Sequence, residues 1–130
     1  METKLIEKRN LLISSLFQGG SSINLAPEQL LNATLFVWQK RYKARGVRAK
    51  ITLHDIKAED RQLSLLALQI SFGIDRTSLI GAFRISYSTF MKDINLMSNA
   101  LLNSHKYQRA YALLCVDILY YARWHYQHQH

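Results

Sequence analysis

One proline, Pro27, and five glycines punctuate this chain. Between those breaks the apolar residues recur every three or four positions, with little β-branched alternation. Proline and glycine end helices, spacings of three and four gather side chains on one helix face, and strands alternate instead. The pattern therefore predicts an all-α fold. A first helical stretch covers residues 3–17 and stops at the flexible break Gly19-Gly20-Ser21-Ser22. Pro27 then stands where a first-turn proline is tolerated, Glu28 suits the positive pole of a helix, and Leu30, Leu31, Leu35 and Trp38 follow at helical spacing. These residues predict a helix over 27–45, ended by Gly46. Residues 47–56, VRAKITLHDI, fit either a loop or one short strand. From about residue 57 another helix is expected, with Leu63, Leu66, Leu68 and Ile70 as its apolar surface and Gly73 as its C-cap. A long last helix over 105–126 carries Leu113, Leu114, Val116, Ile118, Leu119, Tyr120, Tyr121 and Trp124 around much of its circumference. A helix apolar nearly all round is buried on more than one side, and in a small chain that predicts a partner subunit.

With 130 residues the chain is expected to form a single helical domain, 1–130, and its 48% hydrophobic content excludes disorder. Seventeen Lys and Arg against nine Asp and Glu give a formal charge of +8, which favours an acidic polymer or an anionic surface as partner. The single cysteine, Cys115, excludes an intrachain disulfide, and its apolar neighbours predict a small buried hydrophobe. No stretch approaches the roughly 18 apolar residues of a membrane span. The N-terminus lacks the small-residue cleavage site of a secretory signal. The expectation is a cytoplasmic protein with no membrane partner.

The stretch DRTSLIGAFRISYSTFMKDI, residues 75–94, holds two helical patterns separated only by Arg84-Ile85-Ser86. Asp75 and Ser86 are good N-caps for helices over 76–83 and from Tyr87 onward. Leu79 and Phe83 fall four apart on the first, Phe90 and Ile94 four apart on the second, and Ile85 can be buried between them. That is the hydrophobic skeleton of a helix-turn-helix spanning about 75–97, in which the first helix props the second and the second enters the DNA major groove. Tyr87, Ser88, Met91, Lys92 and Asn95 lie away from the Phe90/Ile94 face and are the expected base-reading residues. Ser88 and Asn95 donate and accept, Lys92 reaches a guanine edge or a phosphate, and Met91 suits a thymine methyl. Arg76 and Arg84 flank the unit and suit phosphate anchoring. The alternative for the same pattern is two ordinary core helices in a bundle. The commonest helix-turn-helix has a small residue where Ile80 stands and Gly where Arg84 stands.

The pattern GIDRTSLIGAFRISYSTFMKDINLMSNALL resembles the helix-turn-helix of the PapB-type adhesin (fimbrial) biosynthesis regulators. Gly73 precedes a polar-Arg start at Arg76, Phe83 closes the first helix, the non-glycine Arg84 opens the turn, and Phe90/Ile94 anchor the second helix. The resemblance covers roughly residues 60–105. It implies a small oligomeric DNA-binding protein that activates or represses surface-adhesin or related virulence operons.

A second basic feature, WQKRYKARGVRAK over 38–50, holds Lys40, Arg41, Lys43, Arg45, Arg48 and Lys50 with no acidic residue. Six like charges so close repel unless something acidic relieves them, so the cluster is expected to track a phosphate backbone; the alternative is a helix end whose cations favour its negative dipole pole, the rest being solvated. The interleaved Trp38 and Tyr42 fit core positions better than base-stacking platforms. His125, His128 and His130 have no cysteine or carboxylate beside them, and no metal or cofactor is expected there. His54 and Asp55 are adjacent but accompany no nucleophile, and neither a phosphate-cradling loop nor a paired-carboxylate motif occurs, so no enzyme is expected. Two functions follow as expectations. The first is a sequence-specific transcription regulator that binds double-stranded DNA as a homodimer or higher homo-oligomer. The second is an adaptor or anti-regulator whose basic face docks an acidic protein.

Overall fold

A computed structural model describes residues 7, 8, 10–12, 14 and 25–128, and the described residues form helices and connections without a strand. Of the expected first helix, Glu7, Lys8, Asn10, Leu11, Leu12 and Ser14 are helical, and the rest of 3–17 lies outside the described residues. Helix α1, Pro27–Ala44, starts as its sequence dictates. Proline at the first position removes one of the orphan N–H groups of the first turn, and the Gln29 side-chain oxygen accepts from the Ala26 N–H at 2.8 Å. It ends where Gly46 takes φ +95°, a left-handed conformation open to glycine at little cost.

The doubtful segment 47–56 is irregular, with a 3₁₀ turn at Leu53–Asp55 and no strand. Its backbone pairs with one side chain instead of a neighbouring strand. Gln39 donates to the Ala49 carbonyl at 3.1 Å and accepts from the Ile51 N–H at 2.8 Å. Ile51 and Ile56 thereby reach the core. Helix α2, Ala58–Leu66, continues through a π turn at Ala67–Ser71, and Gly73 at φ +72° closes it.

Helix α3, Arg76–Phe83, and helix α4, Tyr87–Asn103, follow, each capped by the expected residue. Asp75 accepts from the Ser78 N–H at 3.1 Å, and Ser86 accepts from the Thr89 N–H at 3.1 Å. Leu79, Phe83, Phe90 and Ile94 are buried, as their spacing predicts. Their burial contributes roughly 2 kcal/mol each, against about 1 kcal/mol for a cap. Packing therefore fixes the pair, and the caps fix where each helix begins.

Helix α4 runs six residues past the expected end at 97. No glycine or proline intervenes before Asn103, and Met97 and Leu101 extend the Phe90/Ile94 stripe into the core. Helix α5, His105–His128, packs Tyr111, Leu114, Cys115, Ile118 and Ala122 inward. α1 lies along α5, α2 along α4, and α4 against α5, so one continuous core joins every described element. Among the described residues no helix is long and apolar enough to cross a membrane.

Candidate nucleic-acid interface

The end of α3 carries the sharpest backbone feature of the described residues. Arg84 takes φ 56° and ψ 50°, the left-handed region, and the Ile85 N–H reaches back to the Ile80 carbonyl at 3.3 Å. This six-to-one bond is the Schellman way of ending a helix, in which glycine normally fills the left-handed position. His54, in the 3₁₀ turn, adds an Nδ1–H bond of 3.1 Å to the Phe83 carbonyl, so the loop after α1 is tied to the same helix end. An exposed arginine held where glycine fits better is the kind of outlier from which a functional role is inferred.

Arg84→Gly is accordingly expected to raise stability slightly. Relief of the left-handed strain is worth about 1–2 kcal/mol, and the looser unfolded chain returns about 0.4–1 kcal/mol of it. The net gain is of order half a kcal/mol, read from a denaturant midpoint. If Arg84 also contacts phosphate, the same variant should lower the slope of log K against log salt by about one.

The base-reading candidates divide. Tyr87, Ser88, Lys92 and Asn95 are exposed on α4. Met91 is half-buried and packs against the core, because one residue after Phe90 it stands on the flank of the buried stripe and not opposite it. Arg76 lies over the Tyr87 ring, 5.0 Å from its centroid, and donates to the Tyr87 hydroxyl at 3.3 Å. An expected phosphate anchor thus holds an expected reading residue, and the pair ties the two helix starts together. Hydrogen bonds from the Ser78 side chain and N–H hold the Asp75 carboxyl below the usual carboxylate range, so this cap stays charged well into acid.

The basic cluster also divides. Arg41 makes an ion pair with Asp117 of α5 at 2.8 Å and stacks over Trp38 at 4.8 Å. Lys40 donates to the Tyr121 hydroxyl at 3.2 Å and lies over the Tyr121 ring. These two charges belong to the seam between α1 and α5, where Phe36 and Tyr121 meet edge to face. Trp38 and Tyr42 are core, as expected: the Trp38 indole donates to Ser64 at 2.7 Å, and the Tyr42 hydroxyl donates to Asp60 at 2.6 Å. Lys43, Arg45, Arg48 and Lys50 remain exposed and without an ion pair among the described residues. They precede the 3₁₀ turn that docks on α3, so the solvated half of the cluster and the helix pair share one connected framework.

Sequence reasoning missed what sets the attitude of α4. Asp93 is buried, accepts from Arg61 of α2 at 2.7 and 3.2 Å, and accepts from Gln62 at 3.3 Å. Its signal was present: an acidic residue three after Phe90 falls on the buried side of the helix. On α5, Leu113, Val116, Tyr120 and Trp124 are exposed opposite the core-facing side. Val116, Leu119, Tyr120, Arg123 and Trp124 line an open groove of about 360 Å³. No cluster of His, Cys, Asp or Glu able to hold a metal occurs among the described residues, and His130 lies outside them. No protein-family model, no curated protein and no solved structure matches the chain.

Proposed function

We propose that the chain is a sequence-specific DNA-binding transcription regulator that reads the major groove with α4 and binds as a homodimer or higher homo-oligomer. The observation that carries this reading is the α3–α4 pair. Two separately capped helices are joined by three residues with a fixed left-handed turn, and the exposed side of the second is mostly polar, with Tyr87 and Leu96 among its exposed residues, on a chain of charge +8. A tight turn presents the start of the second helix outward, where side chains reach base edges. The exposed apolar residues of α5 supply a surface for association, as expected of a regulator binding paired half-sites. The resemblance to PapB-type regulators points the same way and suggests adhesin or virulence-type operons in a cytoplasmic setting.

The test is fluorescence anisotropy with the chain's own upstream region and with a scrambled duplex, across a salt series. Lys92→Ala or Ser88→Ala should reduce the preference by about 1–3 kcal/mol where the residue makes a good base contact. Lys43→Ala and Arg45→Ala should weaken both duplexes alike and flatten the salt slope. Equal, salt-labile binding to both duplexes would sink the specific-regulator reading.

The α5 groove favours a second reading, an adaptor or anti-regulator that docks an acidic protein segment. Its one charged lining residue among the described residues is Arg123, and the nearby acid, Asp117, is paired with Arg41. Binding to an acidic protein, with no DNA affinity, would favour it.

A further inference from the structure

The extra length of α4 changes what its outer face contains. We infer that Asn99 extends the reading face by a full turn, and that Asn95 and Asn99 each recognise an adenine in the major groove. The inference rests on the regulator reading and adds the bases that the site selects. Nine residues on from Phe90 is two and a half helical turns, so Asn99 stands opposite the buried stripe, in line with Ser88, Lys92 and Asn95. Asn95 and Asn99 are about 6 Å apart along the axis, close to two base-pair steps.

The chemistry of the strip narrows the ligand. An asparagine amide offers one acceptor and two donors, and adenine presents the complementary N7 acceptor and N6 donor in the major groove. Neither Asn95 nor Asn99 uses its side chain in a hydrogen bond within the described residues. Asn99 takes part only through its backbone carbonyl, which accepts from the Asn103 amide at 2.8 Å. That bond occupies Asn103 and leaves it out of the proposal. Leu96, 48% exposed between the two asparagines, is an apolar group in position for a thymine methyl, the major-groove mark of the base paired with adenine.

The composition of the strip is also unfavourable for a merely solvated helix. Asparagine competes with its own backbone and is a poor helix former, and exposed helix faces usually carry Lys, Glu, Arg, Gln or Ala. Along α4 the only charge on the exposed side is Lys92. A local choice that weakens the helix without packing gain marks a position kept for recognition.

The experiment starts with selection of the full chain on a randomised duplex library, followed by anisotropy on the selected duplex. Asn99→Ala should leave the thermal midpoint unchanged or raised, and should reduce the discrimination between adenine and other bases at one position by roughly 5- to 150-fold. Replacing that adenine with deazaadenine, which lacks the N7 acceptor, should weaken the wild-type chain and leave Asn99→Ala unaffected. Asn95→Ala should repeat this pattern at a second position. Unchanged base preference in Asn95→Ala and Asn99→Ala, with Lys92→Ala still shifting it, would overturn the adenine inference and leave the regulator reading standing. A lowered midpoint with intact preference would make the asparagines structural and overturn it too. No selected sequence at all would remove both.

Discussion

Arg61→Met is expected to destabilise the fold by about 3–5 kcal/mol, the cost of leaving a buried charge without its partner. Asp93 is 2% exposed, and without Arg61 only the Gln62 amide at 3.3 Å would remain on its carboxylate. Since small domains are stable by roughly 5–15 kcal/mol, a guanidinium melt should show a large share of the total lost. A second comparison separates the lost charge pairing from simple cavity loss. Asp93→Asn, which still accepts from Arg61, should cost less. A double change of Arg61 to Met and Asp93 to Leu should recover much of the loss, since buried ion pairs replaced together by apolar groups are often neutral. A double variant no more stable than the single one would show that the unpaired charge is not the cause.

That ion pair also illustrates what the sequence did and did not reveal. The α3–α4 pair was legible because its boundaries rest on local chemistry: Asp75 and Ser86 cap through side chains three residues from their targets. The end of α4 was not legible, because nothing in Leu96–Asn103 breaks a helix and its last turns are held by Leu101 in the core. The expected phosphate role of Arg41 could not be weighed against Asp117, which lies 76 positions later and meets it only through the packing of α1 on α5. For the same reason residues 47–56 read as strand or loop. Their order comes from the amide of Gln39, a side chain whose role depends on the chain folding back over α1. The apolar residues around α5 divide in the structure: Leu114 and Ile118 are buried in the core, and Leu113, Val116, Tyr120 and Trp124 are exposed.

Alkaline pH should expose the largest stored difference between the folded and unfolded chain. Burial pushes the Cys115 thiol from its ordinary 9.0 up to about 12, partly offset by hydrogen bonds from Ser71 and Tyr111, which themselves share a bond of 2.6 Å. Below pH 9 the thiol is protonated in both states and stability does not depend on it. Above pH 9 the unfolded chain releases the proton first, so stability falls by about 1.4 kcal/mol per pH unit until the folded thiol ionises near 12. The loss through Cys115 alone is then about 4 kcal/mol. Tyr42, pushed up to about 12 by burial and by its bond to Asp60, adds a loss of the same sign between pH 10 and 12. A rise of about two pH units bounds its share at roughly 3 kcal/mol. Cys115→Ala should begin about 1–2 kcal/mol less stable at pH 7, for the atoms removed from the core. It then escapes the thiol penalty, so its stability curve should cross that of the wild type between about pH 9.7 and 10.5. Ionisation of the lysines is common to both chains and cancels in the difference. Parallel curves would mean that the thiol ionises as readily in the folded chain as in the unfolded one, and the burial of Cys115 would be refuted with them.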